Sequence, residues 1–411
     1  MTGEKQTSTK RILEGLHVVD FGQMVVGPLS CKFLADHGAQ VVRIDSVGRP
    51  DSLRTGNPAK DGITGPNRGG FYMKQNNNKY HLSVNLNHPK GIELAKRLIA
   101  WADIATSGWR PGVIDKWGLG WDVVSKINPR LIMVITSMRG LTGPSSGASG
   151  FGDELQSLVG FPNYIGYPDR VPQPLTAAYT DFCVPAIGIC AIVAALIRRR
   201  KTGRGELLDL CQCEVGLHFL TPELLSYSAN GYDHGLRGNK HDLAAPHDAY
   251  CCKGDNRWCV IAVFSDEEWK TLCGIMGKPQ LANDPKFSSV LKRKENEDEL
   301  DKIISSWTVD YTPEEIATLL QDNSITAGIV QSGKDALEDP QLRHRGFWVT
   351  LNHPEFGEYR AELPPWKLSK TPAQIRMHVP MIGEHNEFVC TQLIGMSDEE
   401  FIEYLSEGAL S

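Results

Sequence analysis

From residue 16 onward, short runs rich in β-branched residues alternate with longer stretches of helical periodicity, and this alternation limits the available folds more than any other feature of the chain. "LHVVDF" (16–21) is followed by "GPLSCKFLADHG" (27–38) and "AQVVRID" (39–45). After a long loop come "LSVNLN" (82–87), "KGIELAKRLIAWA" (90–102), "DIATSG" (103–108) and "LIMVITSM" (131–138). Strands separated by helices build βαβ units, and these close into a parallel sheet covered by helices on both faces. The expectation is an α/β, doubly wound, Rossmann-like large domain. Ligands bind such sheets beyond the carboxyl ends of the strands, so the loops after Asp20, Asp45 and Gly108 are the first candidates for a site.

Further along, "ELLDLCQ" (206–212) predicts another strand and "EVGLHFLTPELLSYSA" (214–229) a single helix. The aperiodic, Gly- and Asn-rich "NGYDHGLRGNKHDLAAPHD" (230–248) marks a linker or functional loop. Beyond it the texture changes. "AYCCKGDNRWCVIAVF" (249–264) predicts a hairpin turning at Gly254, Asp255 and Asn256, and helices are expected at 266–276, 292–307 and 313–321. The organisation expected is a large domain over 1–225, a linker and smaller α+β domain over 226–330, and a return to the large domain over 331–411.

A second feature is chemical. Asp181 stands before an uncharged run, Phe182 to Ile197, that ends in Arg198, Arg199, Arg200 and Lys201. The run is short for a membrane span, which needs about 20 apolar residues, and Pro185 and Gly188 interrupt it. Small residues alternating with Ile and Val suit a helix packed closely inside protein. Pro185 fits a first helical turn, which places Asp181 just ahead of the helix. There it serves as a cap, or as a reactive carboxylate near a positive dipole end.

Composition excludes other classes. With 41% hydrophobic and 22% charged residues the chain is ordinary for a soluble globular protein. A net charge of −6 gives no broad attraction to nucleic acid or anionic lipid, so neither is expected as a partner. "MTGEKQTSTKR" has no apolar leader region, and a cytoplasmic location is expected. The ten cysteines sit mostly in apolar settings and read as buried thiols. Neither the Cys pairs nor His241, Asp242, His247 and Asp248 have metal-site spacing, so no metal is expected. Gly143, Ser145 and Gly147 match a hydrolase elbow, but "RGLTGP" separates them from the strand they should follow. No phosphate-binding glycine fingerprint follows the first strand either.

Taken in order, "LEGLHVVDFGQMVVGPLSCKFLADHGAQVVRID", "NNNKYHLSVNL", "WRPGVIDKWGL", "NPRLIMVITSMRGLTGP", "AAYTDFCVPAIGICAIVAALIRRRKTGRGELLDL" and "MIGEHNEFV" resemble the class III coenzyme A transferases of the CaiB/BaiF, formyl-CoA transferase type. The likeness runs over almost the whole chain. It implies that Asp181 is a nucleophile accepting acyl groups and CoA in turn, with an acyl-CoA and a free carboxylic acid as substrates and no tightly bound cofactor. It also implies that Val25, Val26, Lys79, Trp109, Arg110 and Lys116 line the CoA site, with cations on phosphates and an aromatic on adenine or pantetheine. Two chains, identical or related, would interlock as rings. The chain departs from relatives in having "LRGNKHDLAAP" where they carry a glycine-rich loop, Val25 where Gln is common, and Phe151 where racemases of the same fold place a catalytic His. A racemase or lyase, or a non-catalytic CoA-binding subunit, is the alternative.

Overall fold

The computed structural model describes residues 10–411. The N-terminal stretch read as lacking a leader therefore lies, up to residue 9, outside the described residues. Two compact units are present. One comprises the described part of Met1–Phe161 with Pro174–Gly231 and Gln341–Ser411; the other comprises Pro162–Gln173 and Tyr232–Pro340. The main crossings thus fall a few residues beyond the expected 225 and 330.

In the first unit, strands β1 (His17–Asp20), β2 (Gln40–Asp45), β3 (Lys79–Ser83), β4 (Ile104–Ser107), β5 (Ile132–Ser137) and β6 (Glu206–Cys211) form one sheet in the order β3-β2-β1-β4-β5-β6. Every pairing is parallel. Order reverses between β1 and β4, the position at which doubly wound sheets open a ligand crevice. Successive residues of a strand face opposite sides, and the core divides accordingly. Val19, Val42, Ala105 and Met133 pack on one face with Leu94 and Leu98 of helix α3 (Pro89–Trp101). Val18, Val41, Ile104 and Ile132 pack on the other with Leu34 of helix α1 (Val26–Asp36) and Ile192 and Ala195 of helix α7 (Tyr179–Thr202). Each fully buried aliphatic side chain of this kind contributes about 1.5–3 kcal/mol.

The helices of this unit up to the last strand are α1 (Val26–Asp36), α2 (Gly70–Gln75), α3 (Pro89–Trp101), α4 (Val113–Lys116), α5 (Trp121–Ile127), α6 (Gly152–Val159) and α7 (Tyr179–Thr202). After β6 come α8 (Gln212–His218) and α9 (Thr221–Asn230). The single helix expected at 214–229 is therefore two, because Pro222 offers no N–H to the His218 carbonyl one turn back. The strand expected at 82–87 lies earlier, at Lys79–Ser83, in register from Val41↔Lys79 to Asp45↔Ser83. Its polar residues, Lys79 and His81, are buried, which a hydrophobicity pattern cannot announce.

The C-terminal segment completes this sheet. At the β3 edge the His81 N–H donates to His385 Nδ1 (3.3 Å) and the Ser83 N–H to Asn386 Oδ1 (2.8 Å). Val389, Cys390, Met396, Tyr404 and Leu410 enter the same core.

Helix α7 corrects two expectations. It begins at Tyr179, so Asp181 lies inside its first turn and Pro185 in the interior. It is also open on one side. Val184, Gly188, Ile192 and Ala195 face inward, whereas Ala186, Ile187, Cys190, Val193, Ala194 and Ile197 form an exposed stripe. At 24 residues it is long and apolar enough to cross a bilayer, yet its inner face is seated on α1 and the sheet.

The second unit holds an antiparallel sheet of β7 (His247–Cys251), β8 (Trp258–Ala262) and β9 (Thr326–Ile329), in that order. Helices Asp266–Ile275, Glu297–Thr308 and Pro313–Asp322 supply the rest of its core, centred on Trp269, Leu272, Leu300 and Ile316. The 236–248 segment is fastened within this unit: Arg237 pairs with Asp242 at 3.0 Å, and Gly238 N–H donates to the Gly166 carbonyl at 2.7 Å. A separate antiparallel pair in the first unit, β10 (Trp348–His353) and β11 (Gly357–Glu362), occupies the two β-like runs near the end of the chain.

Candidate active site

Beyond the carboxyl ends of β1, β4 and β5 the first unit has an open cleft of about 710 Å³. Asp181 lines it, together with Val25 and Val26 at the start of α1 and Trp109 and Arg110 after β4. Sequence-distant residues are thus brought together at one place. A smaller recess of about 100 Å³ shares Gln23 and Trp109 with the cleft and adds Asp45, Arg49, Asn85 and Trp117. Trp109 meets Trp117 edge-on, with ring centroids 5.3 Å apart, and the Arg49 guanidinium lies 5.4 Å from the Trp109 ring centre.

The first loop owes its shape to buried charge. Asp20 Oδ1 accepts from Gly22 N–H (2.9 Å) and Thr106 Oγ1 (3.0 Å), and Oδ2 accepts from Lys79 Nζ (3.0 Å). Arg43 bonds the Gly22 carbonyl and reaches Asp51 (2.7 Å), which in turn accepts from Met24 N–H (2.9 Å). Burial by itself would raise the Asp20 pKa, but Lys79 and Arg43 hold it below the usual range. A Cβ on Gly22 would stand 2.9 Å from Asp20 Oδ1 and 3.0 Å from Gly27 Cα, so glycine is required there. The network presents Val25, Val26 and the uncapped N-terminus of α1 to the cleft, where unpaired N–H groups favour anions.

Lys79 therefore needs correction. It has no exposed surface, and its ammonium donates to Asp20, to the Pro28 carbonyl (2.7 Å) and to Asn76 Oδ1 (2.9 Å). All three donors are occupied inside the protein, and none remains for a phosphate. Lys116 is exposed on α4 but lines neither cavity.

Asp181 lies in contrasting surroundings. Burial, and next the nearby Asp153 charge, push its carboxyl up to about 6. No cation pairs with it among the described residues. Gly152, at the start of α6, lies against it: a Cβ there would come within 2.2 Å of Ala178 Cβ and 3.0 Å of Asp181 Cγ. Pro185 cannot donate to the Asp181 carbonyl, so this turn of α7 lacks one helical bond. Sequence reasoning missed Gly152, along with Phe71, Met138 and Gln212, which also line the cleft. Only the "GFGD" spacing around Gly152 offered a signal. Phe151 lines the cleft and is 67% exposed, and no His lines it among the described residues.

A carboxylate that is poorly solvated and lacks a counterion, beside helix N-termini, is suited to nucleophilic attack on an acyl carbon. The family model for CoA-transferase family III matches residues 13–386. The chain belongs to CoA-transferase family III. It is similar to the succinyl-CoA–D-citramalate CoA-transferase of Chloroflexus aurantiacus, 30% identical over 95% of this chain and 96% of that protein. It is equally similar to the β subunit of that organism's succinyl-CoA–L-malate CoA-transferase, 30% identical over 98% of each chain. Among solved structures, a CAIB/BAIF family protein from Brucella suis superposes with a TM-score of 0.85 at 26% identity, over 93% of this chain and all of that one. As a member of family III, the protein is a CoA-transferase, with CoA thioesters as its co-substrates.

Proposed function

We propose that this transferase moves CoA from succinyl-CoA to a carboxylic acid through covalent intermediates on Asp181. The carboxylate oxygen attacks the thioester carbonyl, the C–S bond breaks, and a mixed anhydride forms with release of CoA thiolate. The thiolate attacks the Asp181 carbonyl carbon, the donor acid departs, and an aspartyl-CoA thioester remains. The acceptor carboxylate repeats the exchange in reverse, so that acyl-CoA leaves and Asp181 is restored. The observation that carries this reading is the carboxyl pushed up to about 6, without a cation partner among the described residues, in the wall of the cleft beyond β1, β4 and β5. Both intermediates hydrolyse readily, so the reaction depends on excluding water.

In this reading Val25, Val26, Trp109 and Arg110 contact the CoA thioester, and the recess between Trp109 and Trp117 takes a flat base. The named relatives use succinyl-CoA, which supports that donor. The acceptor we propose is (R)-benzylsuccinate, as in the succinyl-CoA:(R)-benzylsuccinate CoA-transferase of anaerobic toluene breakdown. Apolar Phe71, Phe151 and Met138 in the cleft suit its aromatic end. The exposed stripe on α7, with exposed Leu224, Leu225 and Tyr227 on α9, supports assembly with a second copy or a related subunit; that this assembly is a pair of interlocked rings in the cytoplasm is part of the same proposal. Phe151 favours transfer over racemisation, because no imidazole stands there to take an α-proton.

The test is peptide mass spectrometry after incubation with succinyl-CoA and trapping with hydroxylamine or borohydride. A donor-dependent modification on Asp181 is expected. Its absence from a preparation that binds CoA would overturn the covalent route, and deuterium uptake at the α-carbon without transfer would reveal a racemase. Screening benzylsuccinate against malate, citramalate and glutarate then decides the acceptor.

A further inference from the structure

Beside the cleft, one buried polar side chain grips the chain that leads to Asp181. Gln156 lies in α6 with no exposed surface. Its Nε2 donates to the Ala177 carbonyl at 2.9 Å and, more weakly, to Asp153 Oδ1 at 3.4 Å. Its Oε1 accepts from the Leu175 N–H at 3.1 Å. Leu175 and Ala177 belong to irregular, largely exposed chain just before α7, and Ala178 contributes no side-chain cap to that helix. Sheet and helix bonds therefore do not fix this segment. An amide of this length both donates and accepts, and it satisfies itself only on the backbone of that segment and on Asp153. Elsewhere on α6, Gly152 abuts Ala178 and Asp181. Val159, at its far end, lies within 2.7 Å of a Cβ built on Gly216 of α8, which in turn approaches Thr180 at 3.2 Å.

We propose that Gln156 is a positioning residue for transfer: through the backbone at 175 and 177 it fixes the start of α7, and so the direction in which the Asp181 carboxylate enters the cleft. The proposal rests on Asp181 being the nucleophile. Displacing a reacting group by about 1 Å costs up to 10²-fold in rate, while substrate contacts made elsewhere in the cleft stay intact.

The experiment compares the full-length wild type with Gln156→Met, Gln156→Glu and Asp181→Asn, using succinyl-CoA as the probe. It reads the rate of acyl trapping at Asp181, the Kd for succinyl-CoA and the melting temperature on the same preparations. For Gln156→Met the acylation rate falls about 10- to 100-fold, with Kd within about two-fold of wild type. Gln156→Glu keeps the bond from Leu175 and recovers part of the rate. Buried against the Ala177 carbonyl and Asp153, its carboxyl stays protonated and donates as the amide does, a rescue that a packing defect would not show. Wild-type acylation in Gln156→Met would sink the proposal, as would a loss that merely tracks the fraction of folded protein. Should Gln156→Met fail to fold, a wild-type acylation rate in Gln156→Leu has the same consequence. Undiminished acyl trapping in Asp181→Asn identifies the failure as that of the nucleophile assignment.

Discussion

Asp20 and Asp181 are both acids at the carboxyl end of the same sheet, and their surroundings separate two uses of a buried carboxylate. Asp20 is completely enclosed, accepts hydrogen bonds from Gly22, Thr106 and Lys79, lies 3.4 Å from Arg43, and ionises more readily than a free carboxyl. Asp181 is less enclosed yet is held toward its neutral form, because burial and Asp153 act on it with no cation in opposition. Depth alone does not decide reactivity. A carboxylate whose lone pairs are all engaged holds a loop in place, and one left with unspent charge is available to an electrophile.

The largest expected effect is on chemistry. Asp181→Asn removes the nucleophile and lowers transfer by about 10³-fold or more, measured as CoA exchange at saturating succinyl-CoA, while Asp20 keeps its partners. A variant that retains wild-type turnover would break the comparison at once. The reverse substitution, Asp20→Asn, acts on stability. It leaves Lys79 buried without its counterion, while Arg43 keeps Asp51, at a cost of about 3–5 kcal/mol, seen as a lower denaturation midpoint by urea titration.

A smaller effect has the opposite sign. Since the Asp181 pKa rises from 3.8 unfolded to about 6 folded, the native state binds more protons between those values, and stability falls as pH rises through that window. Asp181→Asn therefore melts higher than wild type at pH 7–8, by an amount on the order of 1–3 kcal/mol. That advantage fades as pH falls through the window and is gone below about 4. Thermal melts at several pH values check it. Smallest is Asp153→Asn, which removes the like charge beside Asp181. The pH–rate midpoint moves downward, and transfer near pH 5.5 rises a few-fold, with little change above pH 7.

The comparison also shows what the sequence could disclose. Alternating β and α texture was enough for the parallel sheet, since apolar runs and their spacing are local properties. Asp181 was visible because it borders an uncharged run and sits in a run of motifs resembling a family. Lys79 looked like any basic residue, and its role depends on Asp20, 59 positions earlier, which only strand order brings near. The start of α7 was misjudged because Pro185, usual in a first turn, here stands in a helix interior. Gln156 carried no sign at all: a glutamine on a helix is ordinary until the partners of its amide are known.

The side chains that close the β3 edge, His385 and Asn386, have a consequence for synthesis. All six strands of the large sheet have been made by Cys211, but the groups that occupy the β3 N–H donors emerge only after the whole second unit. Until then a nascent chain presents an open strand edge, the kind that pairs with neighbouring chains. Ribosome-bound chains of this protein accordingly pass through a window in which the six-stranded sheet is made while its β3 edge still lacks the groups that close it.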